Sequence, residues 1–109
     1  MNWTITYYNE QVKKEVFALP RGILARYLRY VELMENQGID LRAPHSESMG
    51  GGLFELRPKG PEGIGRVFYC TVSGSTIVVL HSFVKKTQKT PQKEITIARR
   101  RLQEVKNEE

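Results

Sequence analysis

The chain holds one cysteine, Cys70, so no internal disulfide can close and no cysteine-based metal cluster can form. That usage fits a reducing compartment. Histidine is almost as scarce: His45 and His81 stand far apart, and neither has a partner at metal-ligand spacing. Apolar runs such as 67–70 and 77–80 do not exceed four residues, against the roughly 20 needed to cross a bilayer as a helix. Residues 2–6 supply neither a basic nor an apolar leader segment. No signal peptide, membrane contact, metal or cofactor is expected, and a cytoplasmic location is. No phosphate-binding loop is present either: Gly60-Pro61-Glu62-Gly63-Ile64-Gly65 is glycine-rich but carries a proline and does not open a helix. A Ser/His/Asp order or a carboxylate pair for glycoside chemistry is equally wanting.

Acid is also missing from one stretch. Between Arg57 and Arg101 stand ten Lys/Arg and only Glu62 and Glu94, a balance of +8, while the remaining residues sum to −3. A structured basic surface of this kind expects a polyanion, most often a nucleic acid. The bland reading is a solvated charged face with no partner. If a reaction is performed, cations must carry it.

What is present reads as one α+β domain spanning 1–109. Trp3, Ile5 and Tyr7 alternate with polar residues, which predicts a strand. Asn9 is placed to cap a helix from Glu10 to about Leu19, whose Val12, Val16 and Leu19 share a face. Pro20 ends that helix and starts a second over 21–37, with Gly38 as its C-cap. Residues 39–52 have no period and read as a loop. Strands follow at 53–57, 64–72 and 76–84, joined by short turns suited to antiparallel hairpins. Thr90 and Pro91 mark the start of a last helix running to about Asn107, with Ile95, Ala98, Leu102 and Val105 on one face. The order is β-α-α-β-β-β-α, with helices expected on one face of a mainly antiparallel sheet and the first strand paired into the later hairpins.

The pleat then places the cations. If Phe54, Leu56, Val67 and Tyr69 face the helices, Arg57 and Arg66 point from the opposite face, with Lys85 and Lys86 near its rim. Convergent Arg and Lys on an open sheet face make a phosphate cradle. The alternative is that Arg57 pairs with Glu55 or another acid across the sheet. Phe68 and Phe83 stack on bases if they lie on that open face. His45 and His81 suit proton transfer near neutral pH, and either is equally readable as structural.

Three blocks add a resemblance: Pro44-His45-Ser46-Glu47-Ser48-Met49-Gly50-Gly51-Gly52-Leu53-Phe54-Glu55-Leu56-Arg57, then Gly63-Ile64-Gly65-Arg66-Val67-Phe68-Tyr69, then Leu80-His81-Ser82-Phe83-Val84-Lys85-Lys86-Thr87-Gln88-Lys89-Thr90-Pro91. Together they resemble the phage-derived Gp49-like group of RelE/HigB-type toxins. The resemblance implies a compact α+β toxin of a type II toxin–antitoxin system. Its activity would be ribosome-dependent mRNA cleavage by attack of the RNA 2′-hydroxyl, without metal. Arg66 matches the position associated with the scissile phosphate, and Lys85 and Lys86 match a basic pair at the end of the last strand. Glu55 stands where the best-known members have Lys, and Gln92 where they have Tyr, which leaves the general base open. The catalytic set expected is Arg66, Arg57, Lys86 and His81. Lys59, Lys85, Lys89, His45, Phe68 and Phe83 are expected to bind RNA. The implied partners are a helix-turn-helix antitoxin, the ribosome with its mRNA, and operator DNA through the antitoxin complex. A gyrase poison of the same fold and a non-catalytic basic nucleic-acid-binding module remain the alternatives.

Overall fold

The computed structural model describes residues 3–37, 46–85 and 91–109. The elements are β1 (Thr4–Tyr7), α1 (Glu10–Phe17), α2 (Arg21–Gln37), β2 (Ser46–Gly50), β3 (Leu53–Leu56), β4 (Lys59–Gly60), β5 (Gly63–Val72), β6 (Thr76–Lys85) and α3 (Gln92–Glu108). The α+β order expected from the pattern is present, with two short strands added. The sheet runs β1-β6-β5-β3-β2, and β4 pairs with β5. All pairings are antiparallel except β1 with β6, where Thr4 lies opposite Thr76. The α1–α2 hairpin carries the chain away from β1, and β6 later pairs in parallel along the edge of that strand.

Local chemistry sets the boundaries. Asn9 caps α1 by accepting from the Val12 amide at 2.8 Å. Pro20 separates the helices, and its carbonyl accepts from Leu24 at 2.8 Å to open α2. Pro91, expected as the first helical residue after a Thr90 cap, itself holds the cap position of α3, with φ −61° and ψ 137°. The extended ψ keeps it out of the helix, which begins one residue later than the sequence pattern suggests. The Thr90 cap and the Gly38 cap lie outside the described residues.

The placement of the third helix corrects the expectation of helices on one face. Leu56, Val67, Tyr69, Ile77 and Val79 pack with Val12, Val16, Ile23, Tyr27 and Met34 of α1 and α2. The alternate residues Leu53, Phe68, Cys70, Val78 and Leu80 pack with Ala98 and Leu102 of α3. The sheet is therefore sandwiched. The physical reason lies in the unbroken apolar runs at 67–70 and 77–80, which supply an apolar floor on both sides of the pleat. A strand with one wet face would alternate.

The segment before β3 corrects a second expectation. Residues 46–50 form an edge strand, with Ser46 opposite Leu56 and Glu47 opposite Glu55. The turn into β3 uses Gly50, Gly51 and Gly52, all at positive φ (86°, 64° and 89°), a backbone that side chains resist. A polar edge strand has no alternation to read, because its outer side faces water.

Candidate functional site

Pairing across β3, β5 and β6 builds one row of side chains on the face that α3 only partly covers. Glu55 lies opposite Phe68, Phe68 opposite His81, and Arg66 opposite Phe83. Direct antiparallel partners share a face. The rings of Phe68 and His81 are parallel at 6.5 Å, and Phe83 lies 6.0 Å from each. Arg57 follows β3 and returns to the same row.

Arg66 is the unusual member. It is only 6% exposed, and its Nε stands 4.0 Å from Glu55 Oε2. Among the described residues its Nε and Nη1 have no hydrogen-bond partner. Burial lowers its pKa, the Glu55 carboxylate works against that, and nearby Arg57 adds to it. A guanidinium stays charged at neutral pH all the same. A buried charge with donors unfilled costs stability, and these donors are of the kind that hydrogen-bond an anion strongly.

Arg57 is already engaged. Its Nε donates to Glu55 Oε1 at 3.2 Å, and its Nη2 meets the Glu47 carboxylate. The pairing with Glu55 weighed at the sequence level is the arrangement found, and Glu47 from the unforeseen edge strand joins it. The result is a chain of alternating charge, Glu47–Arg57–Glu55–Arg66, with Glu55 buried at 3% exposure.

His81 Nε2 lies 2.6 Å from Glu94 Oε1, which ties β6 to α3. Its Nδ1 is buried with no hydrogen-bond partner among the described residues. Phe68 is fully buried in the α3 core. It cannot stack on a base in this arrangement, which corrects the expectation for that ring: α3 closes the part of the face where it lies. Phe83 is half-buried against the same cluster. Lys59 is exposed on β4, opposite Ile64. The backbone of Lys85 pairs with Ile64 at the end of β6. The Lys85 side chain, together with His45, Lys86 and Lys89, lies outside the described residues.

The structure thus unites Arg57, Arg66, His81 and Phe83 on one face and adds Glu47, Glu55 and Glu94 to them. The sequence showed Glu55 as a departure but held no signal for Glu47 or Glu94, whose roles depend on an edge strand and on the side taken by α3. Among the described residues no group of three or more His, Cys, Asp or Glu is placed to hold a metal, and no helix is long and apolar enough to cross a membrane.

Residues 14–103 match the family described as Phage derived protein Gp49-like (DUF891). The chain belongs to that family. No curated protein matches it. Among solved structures, the free state of an arginine-to-alanine double mutant of the E. coli toxin RelE is similar with TM-score 0.65 and 11% identity, over 93% of this chain and 98% of that one. An archaeal RelE in the RelE–RelB complex of Pyrococcus horikoshii OT3 is similar with TM-score 0.55 and 21% identity, over 79% of this chain and 98% of that one. At such identities the likeness shows the fold: this Gp49-family chain has the RelE toxin fold, a mixed, mainly antiparallel six-stranded sheet with three helices.

Proposed function

We propose that this Gp49-family chain is the toxin of a type II toxin–antitoxin pair and cleaves messenger RNA on the translating ribosome. The observation that carries the reading is Arg66, a buried guanidinium with unfilled donors on the sheet face of a RelE fold. The reaction is internal to the RNA. The 2′-hydroxyl attacks the adjacent phosphorus, the bond to the 5′-oxygen breaks, and a 2′,3′-cyclic phosphate and a 5′-hydroxyl end result. One proton leaves the 2′-oxygen and one reaches the departing 5′-oxygen. Arg66 stabilises the extra negative charge on the phosphorane oxygens. Arg57 exchanges Glu47 and Glu55 for the phosphate, a swap between anions that leaves its charge compensated throughout. His81 is the histidine on the same face, and moving a proton through its Nε2 requires release from Glu94. Lys85 and Lys86, adjacent cations in the sequence, position the strand.

By the same reading the partner is a small helix-turn-helix antitoxin. The archaeal relative is seen with RelB, and the pair here would bind its own operator DNA. The toxin would act in the cytoplasm, where ribosomes are.

Pulse-labelling after induction without the antitoxin tests the reading. Protein synthesis is expected to fall before DNA synthesis. DNA synthesis stopping first, with translation continuing, would replace the ribonuclease by a gyrase poison of the same fold.

A further inference from the structure

A second concentration of positive charge lies away from Arg66. An open cleft of about 520 Å³ runs between α2 and the β4 turn, lined by Gly22, Ala25, Arg26, Arg29, Lys59, Gly60 and Pro61. Every charged residue in that lining is a cation. Arg26 and Arg29 are three apart on α2, hence neighbours on one helix face, and Arg26, Arg29 and Lys59 are all exposed. The ion pair of Arg29 with Glu32 is on the surface and is weak enough to yield to a phosphate.

The walls are fixed. A Cβ on Gly60 would lie 2.6 Å from the Ile23 amide nitrogen, and one on Gly22 would lie 2.5 Å from Pro61 Cδ, so the α2 backbone rests directly on the β4 turn. Glu62 accepts from the Gly22 amide at 3.0 Å. The start of α2 is therefore already filled by an acid, and any further anion must be held by the side chains.

Lys59 connects the cleft to Arg66. It lies opposite Ile64, two residues before Arg66 and on the same side of the pleat, while also lining the cleft. Arg26 and Arg29 stand on the α2 side of the sheet and Arg66 on the other, so a strand of RNA engaged by both would cross the sheet edge at Lys59. The geometry points to the cleft as a second RNA site, which takes the sugar–phosphate backbone of the same single strand whose phosphate Arg66 engages. It rests on the ribonuclease reading for the identity of that strand.

The test measures binding alone. A 2′-O-methyl RNA strand cannot supply the attacking hydroxyl, so its affinity is read without cleavage. Fluorescence anisotropy across a salt series would compare the full-length parent with Arg26→Ala/Arg29→Ala/Lys59→Ala. Each phosphate contact on a single strand contributes about 0.7 to the log–log salt slope. The triple variant is therefore expected to lose about 2 from the slope and about tenfold or more in affinity at low salt. Arg26→Lys/Arg29→Lys should retain both, and thermal melting would confirm that each variant is folded. An unchanged slope overturns the proposal. So does a loss confined to duplex RNA, which would assign the cleft to structured RNA. Tighter binding of a polyglutamate peptide than of RNA at equal salt, lost in the triple variant, would make the cleft a protein-docking surface instead. If the parent never cleaves message yet the slope falls as expected, the cleft stands and the ribonuclease reading does not.

Discussion

At the scale of single residues, the account turns on a side chain that costs the fold something. Arg66 is buried with donors unfilled, and the acid nearest it is shared with Arg57. An anion that fills those donors should stabilise the folded chain, by about 2.7 kcal/mol at a hundredfold excess over its dissociation constant. Saturating 2′-O-methyl RNA is therefore expected to raise the melting temperature of the parent. At the same RNA concentration it should raise that of Arg66→Ala clearly less. Equal gains would mean that RNA does not reach Arg66. The position of this arginine was legible in the pleat, since Val67 and Tyr69 had to face the core. Its burial was not, because that depends on the neighbours the fold sets around it, Glu55 and Arg57 among them.

At the scale of elements, the β4 turn and α2 hold each other by backbone contact. Gly60→Ala places a methyl group where the Ile23 amide already stands. Since backbone cannot step aside cheaply, a loss of about 1–3 kcal/mol is expected, read as a lower denaturant midpoint with an unchanged m-value. Glu62 offers a pH test of the same junction. Its pKa is lowered from 4.5, chiefly by the Gly22 amide. Because the folded value is the lower one, its contribution is present above the unfolded pKa and disappears as pH falls through the folded one. Glu62→Gln should thus melt below the parent near pH 6, and the gap should close as pH falls through the lowered folded pKa of Glu62. A gap independent of pH would mean that the amide oxygen alone matters.

Elements with strong periods were readable in advance: α1 with its Asn9 cap, α2, and the β5–β6 hairpin over Ser73-Gly74-Ser75. The edge strand β2 was not, since Ser46-Glu47-Ser48 has no apolar alternation and takes its conformation from pairing with β3. The side taken by α3 was misjudged although a signal existed. Continuous apolar runs at 67–70 and 77–80 belong to strands covered on both faces, and they were read only for their length.

At the scale of the whole molecule, charge and architecture agree. The +8 stretch folds into β4, β5, β6 and α3, and the acids from the other part of the chain return to meet it. Glu47 binds Arg57, and Glu55 stands between Arg57 and Arg66. Sequence bookkeeping by segment hid this exchange, and it also hid Arg26 and Arg29, which belong to the nominally acidic remainder yet line a basic cleft with Lys59. The family was legible from the three blocks, while the closed, acid-balanced state of the cradle needed the fold. The central claim is that Arg66 serves charge stabilisation in cleavage of translated RNA. Primer extension on translated and untranslated copies of one message, with the parent and Arg66→Ala, tests it most directly. The account predicts cuts by the parent in the translated copy alone, and a loss of about 10²–10³ in the cleavage rate of Arg66→Ala. Equal cutting of both copies, or a folded Arg66→Ala that cleaves within about threefold of the parent, well short of that loss, would contradict it.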